Sequence, residues 1–347
     1  MRPCAGLFAV VLATAPLSAA RAQSEGADFP QQETGELEVI LEQLEQRSAN
    51  GQVSQALRDF VEQLDTPDLK WIEDLLLNTG IEVAERDFSW QIGLRARGGG
   101  ERCGGILISE RYVLTAAHCL DKNSATAAGP VNRYQVNEIE AFEASDTFGE
   151  RPVELDETWP IRIHESYKTG APLYSFDAAL VRLARPLTGA TPAPVGRRAF
   201  RTGPAVTSGW GDHPSGATGT LRAVVVPVVD VSLCRDHLAP QRWDQLGPAT
   251  ICSVDETADA CARDSGGPLV VGTRLKPQTI GVVSWGGSSG CGVTGPNDAL
   301  LGAYTRASSI ADWVLRETGD SSAVTNSSPG QLMNVVSIKS FMEGLER

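Results

Sequence analysis

Cys261-Ala262-Arg263-Asp264-Ser265-Gly266-Gly267-Pro268-Leu269 sets one hydroxyl between an acid and two glycines. Flanking glycines permit tight turns with positive φ. Such turns aim consecutive backbone N–H groups at one point, the arrangement a developing oxyanion requires. A serine hydroxyl attacks poorly unless a base takes its proton, and a histidine oriented by a carboxylate supplies that base. A serine in a glycine-rich loop is by itself a plain turn, so the reading depends on what else the chain offers.

The chain has only four histidines. His118 stands in Leu114-Thr115-Ala116-Ala117-His118-Cys119, where small neighbours leave room for a ligand and Cys119 can tether the loop. Asp177 heads the apolar run Ala178-Ala179-Leu180-Val181. An acid there is partly buried and needs donors or a cation, and an imidazole N–H is such a donor. Taken singly, His118 reads equally as structural and Asp177 as a strand cap.

From about Phe88 onward, short Val/Ile/Leu runs alternate with Gly, Pro, Asn and Asp turns. Gly105 to Ile108, Ala179 to Leu183, Arg222 to Val229 and Ile280 to Ser284 are examples. The pattern predicts an all-β barrel or sandwich, with one helix around Ala307 to Glu317. Gly319 to Gly330 reads as a linker. Leu332 to Arg347 reads as a second, amphipathic helix.

Together, Thr115-Ala116-Ala117-His118-Cys119, Asp177-Ala178-Ala179-Leu180 and Asp264-Ser265-Gly266-Gly267-Pro268 resemble the three signatures of the trypsin-like (chymotrypsin-fold) serine proteases, in that family's His, Asp, Ser order. Trp90-Gln91-Ile92-Gly93-Leu94, Cys103-Gly104-Gly105, Ser208-Gly209-Trp210-Gly211 and Val283-Ser284-Trp285-Gly286 extend the likeness over about residues 77–318. The resemblance implies two six-stranded β-barrels with the site in the cleft between them. It implies Ser265 as nucleophile, His118 as base, Asp177 as the group that orients the ring, and an oxyanion hole from the N–H groups of Ser265 and Arg263. Ser284 is implied to support Asp177, and its carbonyl to lie at the cleft.

Residues 1–22 read as a secretory signal peptide: Arg2, an apolar stretch from Gly6 to Leu17, and small residues at Ala20 and Ala22. Its removal leaves six cysteines, an even number bound for an oxidising compartment. Six cysteines allow 15 pairings, and the residues alone do not choose among them. The resemblance implies Cys103–Cys119, Cys234–Cys252 and Cys261–Cys291. A zinc site is the rival reading, but the chain has no C-x-x-C pair.

Specificity is carried over in the same way. The family's pocket floor lies six residues before the nucleophile, here Asp259. A carboxylate at the bottom of an apolar slot favours an Arg or Lys guest. Gly286 and Gly302 match an open pocket rim, and Tyr304 matches an aromatic near the floor. The competing reading places Asp259 in an exposed acidic loop, Asp255-Glu256-Thr257-Ala258-Asp259.

Two departures stand out. Arg263 replaces the family's usual glycine. Its N–H can still donate, but a side chain resists the backbone geometry and projects where bulky protein inhibitors would bind. The second is the activation junction. In the family a new N-terminus pairs with the acid before the nucleophile, here Asp264. Counting back from Trp90 places that terminus at Leu77-Asn78-Thr79-Gly80, preceded by the non-basic Leu76, with Ile81 as another candidate.

Composition narrows the rest. Net charge is −13 over 347 residues, and −15 once the leader is removed. That disfavours nucleic acid as a partner. No apolar run reaches the roughly 18 residues of a membrane span. Residues 23–76 hold 13 acidic and three basic groups, with apolar residues at helical spacing. They read either as an acidic helical cap or as a regulatory pro-segment. No cofactor or metal motif is seen, and Asn326-Ser327-Ser328 matches a glycosylation acceptor. The expectation is a secreted or periplasmic endopeptidase, made as a zymogen, cutting proteins or peptides after Arg or Lys and open to protein inhibitors. The alternative is a catalytically silent binding protein on the same fold. A nonspecific esterase on another fold is disfavoured, because that order would place Ser before His.

Overall fold

The computed structural model describes residues 81–82, 84–99, 102–124, 129–168, 174–213, 218–238, 243, 245–254, 260–273, 275–286 and 301–329. The expected leader 1–22, the acidic segment 23–76, the terminal helix 332–347, Asp259 and Cys291 lie outside these residues.

Sixteen strands follow one another among the described residues. They are β1 Ile81–Glu82, β2 Gln91–Ala96, β3 Arg102–Leu107, β4 Tyr112–Thr115, β5 Ile139–Glu143, β6 Pro152–Val153, β7 Arg162–Ile163, β8 Ala179–Arg182, β9 Val195–Gly196, β10 Gly203–Gly209, β11 Arg222–Val229, β12 Thr250–Val254, β13 Pro268–Thr273, β14 Lys276–Gly286, β15 Leu301–Arg306 and β16 Val324–Thr325. Two α-helices interrupt them, α1 Val231–Asp236 and α2 Ala307–Thr318.

The protein is mostly β, with two barrel-like sheets. In the C-terminal one the path β13-β10-β11-β12-β15-β14 returns from β14 to β13, closing six strands. Strands β1, β9 and β16 attach to its outside. Phe200, Val226, Ile251, Leu269, Ile280, Val283 and Tyr304 pack inside it. In β11, inward residues alternate with half-exposed ones over much of its length, as a strand with one face on a core must.

The N-terminal sheet departs from the expected six-stranded barrel. It runs β6-β5-β2-β3-β4-β8-β7, seven strands in an open path. Its end strands are only two residues long, and Pro152 in β6 has no N–H for a closing ladder. The chain just past β6 reaches the end of β8 through one isolated bridge, Leu155 to Leu183.

The two sheets meet through specific polar contacts. Buried Ser208 on β10 donates to Gln91 Oε1 on β2 at 2.7 Å. The Gly104 N–H on β3 donates to the Ser265 carbonyl at 2.7 Å. Helix α2 forms because Ile310, Ala311, Trp313 and Val314 line one buried stripe, and Gly319 ends it at φ 63. The stretch read as a linker holds more than a linker. A 3-10 turn at Ser321–Ala323 buries Ala323, and β16 pairs in parallel with β9.

Candidate active site

Asp177 follows Phe176, which has φ 55, and leads into β8. Its side chain is fully buried, so a charged carboxylate survives there only with donors. It has them. The His118 backbone N–H donates to Oδ1 at 2.9 Å, the His118 ring Nδ1 lies 2.7 Å from Oδ2, and the Ser284 hydroxyl donates to Oδ2 at 2.6 Å. The Thr305 hydroxyl holds the Asp177 carbonyl at 2.9 Å. With Nδ1–H committed to a carboxylate, the proton-accepting nitrogen of a neutral ring is Nε2. His118 itself sits in a 3-10 turn, Ala117–Leu120, directly after β4.

Ser265 lies on the turn that enters β13. Gly266 has φ 81, and a Cβ there would stand 2.2 Å from Thr115 Oγ1 and 2.5 Å from the Gly104 carbonyl, so only glycine fits. The turn is fixed by its backbone: Gly266 N–H donates to Val283 O at 2.7 Å, Val283 N–H to Gly267 O at 2.9 Å, and Gly267 N–H to Asp264 O at 2.8 Å. Val283 precedes Ser284, so the strand that grips the serine turn also supplies a donor to Asp177. The Cys103–Cys119 disulfide ties the histidine turn to β3. Cys119 Sγ lies 3.8 Å from His118 Nε2 and 3.6 Å from the Ser265 carbonyl oxygen. The ring and the serine backbone thus flank one sulfur.

Arg263 adopts φ 76, the left-handed region that glycine enters freely. The next residue, Asp264, accepts N–H groups from Gly211 at 2.8 Å and Cys261 at 2.9 Å. Burial pushes its carboxyl up to about 6, against the pull of those two N–H groups, and the Asp212 charge adds to the rise.

Gly286 faces Gly302 across the β14–β15 ladder, and a register shift between Val283 and Trp285 brackets Ser284. Tyr304 is buried, with its hydroxyl 3.2 Å from Ser253 Oγ. A second disulfide joins Cys234 to Cys252, and Cys261 is also disulfide-bonded.

A glycine-flanked serine turn, a ring held by a buried carboxylate and two barrel-like sheets now stand together, and comparison with known proteins agrees. The family model described as Trypsin matches residues 77–314. The chain belongs to the trypsin family. It is 35% identical to Hypodermin-B of Hypoderma lineatum over 244 residues, covering 68% of this chain and 84% of that protein. It is 31% identical to Trypsin 5G1 of Aedes aegypti, covering 69% and 84%, and 30% identical to a Trypsin of Sarcophaga bullata, covering 68% and 86%. Membership makes the protein a serine protease, a hydrolase.

Several residues of this trypsin-family site have no motif to announce them. Thr305 holds the Asp177 backbone. Tyr174, at φ 63, sets its ring edge-on to His118 with centroids 6.5 Å apart. Asp121 and Lys168 form a buried pair beside the histidine turn. Burial alone would raise the Asp121 carboxyl, but hydrogen bonds from Lys168 and from the Asn132 and Asn123 amides hold it below the usual range. Asp121 stands three residues after His118 in sequence, but Lys168 lies 50 residues on and carries no such signal. Cys103, His118 and Cys119 bring three potential metal-ligand atoms within 4.8 Å of one another. The two sulfurs are spent in the disulfide, so the group lacks the thiolates a metal site needs.

Proposed function

We propose that this trypsin-family protein is a secreted endopeptidase that hydrolyses peptide bonds after Arg or Lys through Ser265, His118 and Asp177. The observation that carries the reading is the buried Asp177 carboxylate, donated to by the ring, the backbone of His118 and Ser284. Ser265 Oγ attacks the substrate carbonyl while His118 Nε2 takes its proton. The oxyanion of the tetrahedral intermediate accepts from the N–H groups of Ser265 and Arg263. Collapse breaks the peptide bond, His118 protonates the leaving amine, and an acyl-enzyme remains on Ser265. Water then attacks by the same route, and the acid product leaves. Asp177 keeps the imidazole in the tautomer that exposes Nε2 and stabilises the cation when it forms.

Preference for Arg or Lys rests on Asp259, six residues before Ser265, and on a rim of Gly286 and Gly302 that carries no blocking side chain. Secretion rests on residues 1–22. The acidic segment 23–76 is the pro-region in this reading, 77–318 the protease domain and 319–347 a C-terminal extension. A processed N-terminus pairs with Asp264, whose burial otherwise leaves its charge costly.

The test is fluorogenic peptide profiling of the secreted, N-terminally sequenced protein beside Ser265→Ala. Cleavage after Arg or Lys, abolished by the substitution, is expected. The silent-binder alternative draws on Arg263 at a glycine position and on the non-basic residue before the activation junction, and folded, processed protein that turns over no substrate would support it.

A further inference from the structure

Arg263 holds a backbone that L-residues avoid, and the structure offers a reason why it stays there. Its guanidinium pairs with the Asp212 carboxylate, and Nη1 also lies 3.4 Å from Thr218 Oγ1. Asp212 is fastened to the same turn from the other side. Its N–H donates to the Ala262 carbonyl at 2.9 Å, and the Gly211 N–H donates to Asp264 Oδ1 at 2.8 Å. Asp212 is further bridged to Thr218 across its own loop. Residues 211–212 therefore clasp residues 262–264 by two bonds from their backbone N–H groups, one to the Ala262 carbonyl and one to the Asp264 carboxylate on the other side of Arg263, and by an ion pair to Arg263 itself. A Cβ on Gly211 would stand 2.6 Å from the Ala262 carbonyl, so the two segments touch as closely as backbones can.

We propose that Asp212 is a positioning residue: by anchoring the far end of the Arg263 side chain it holds Arg263 at positive φ, and so holds the Arg263 N–H where the oxyanion forms. This rests on the proteolytic reading above, in which that N–H is one of the two oxyanion donors. Glycine at this position needs no such anchor, because it has no Cβ to favour negative φ. An arginine does, and its reach lets a partner on a second loop provide it. Both side chains are part-exposed, at 47% and 39%, so the pair is open to screening by salt.

The experiment compares wild type, Asp212→Ala, Arg263→Gly and the double variant as secreted, N-terminally processed proteins, with active sites titrated so that misfolded material is not counted. It measures kcat and KM on an Arg-anilide and the affinity of a peptide aldehyde, which forms an oxyanion on Ser265. Asp212→Ala is expected to lower kcat about tenfold, less than the roughly 10²–10³ that follows complete loss of an oxyanion donor. KM should stay within about twofold, and aldehyde affinity should fall with kcat. In the Arg263→Gly background the same substitution should change kcat less than about twofold, because no anchor is needed. Asp212→Glu should recover part of the loss. Raised salt should lower kcat in wild type and leave Arg263→Gly level. An equal effect of Asp212→Ala in both backgrounds, or none in wild type, overturns the proposal. Failure of all four proteins to hydrolyse the anilide while remaining folded overturns the proteolytic reading itself, and this proposal with it.

Discussion

The Lys168 ammonium lies 2.6 Å from Asp121 Oδ2 with both side chains almost wholly removed from water. It also donates to the Asn123 carbonyl at 2.7 Å. Lys168 has φ 57, so a rare backbone conformation and a buried charge are held together. The pair joins the turn that carries His118 to the segment that leads toward Asp177. Lys168→Met leaves the Asp121 carboxylate buried without its cation. That is expected to cost about 3–5 kcal/mol of stability, measured by chemical denaturation, and pairing it with Asp121→Leu should recover part of the loss. A cost below about 1 kcal/mol for Lys168→Met would show that the pair is not buried in solution.

His164 gives the protein a defined acid sensitivity. Its ring stacks on Phe176 at 4.7 Å and packs against Trp313 at 5.0 Å, and Nδ1 accepts the Ser166 N–H. Burial lowers its pKa; Glu165 and Glu317 oppose that shift, and Arg316 reinforces it. The folded state therefore refuses a proton that the unfolded chain accepts below about pH 6.5. Stability contributed by the neutral ring is complete above that pH and is lost as pH falls from there toward the lower folded pKa. Between pH 7 and 5, wild-type Tm should fall more steeply than that of His164→Phe. Parallel curves would contradict the assignment.

Asp264 works with the opposite sign. Its folded pKa, pushed up to about 6 by burial, exceeds the unfolded value of about 3.9. Stability from the neutral acid is complete below about pH 4 and is lost as pH rises through 6. A terminal amine beside it removes that loss by favouring the carboxylate. The unprocessed chain should therefore lose stability across this window, and the processed chain and Asp264→Asn should not. Identical profiles for processed and unprocessed protein would break the link between Asp264 and a new N-terminus.

The exposed Arg263 guanidinium stands on the turn that carries Ser265. Arg263→Gly should tighten binding of a tight protein inhibitor by about tenfold or more, since a bulky inhibitor must pass that side chain. Equal inhibition constants for the two proteins would exclude a steric role.

The C-terminal barrel was largely legible in the sequence because its strands carry their own pattern. Arg222 to Val229 and the helix from Ala307 appear where the spacing of apolar residues put them. The open N-terminal sheet was not legible. Its closure fails at β6 and β7, two-residue strands too short to produce a periodic signal. The grouping of His118, Asp177 and Ser284 was readable from motifs because each sits in a distinctive local string. Thr305, Lys168 and Asp212 were not, because what matters in them is a partner 45 or more residues away in sequence. Such contacts leave no mark on neighbouring residues.

In the proposed mechanism His118, oriented by Asp177, makes Ser265 reactive. The direct measurement is covalent labelling of the secreted, processed protein with an organophosphorus fluoride, mapped by mass spectrometry, beside His118→Ala. One adduct is expected, on Ser265, formed in the native protein and lost both in His118→Ala and on denaturation. No adduct on Ser265 in the native protein, or equal labelling without the His118 ring, would contradict it.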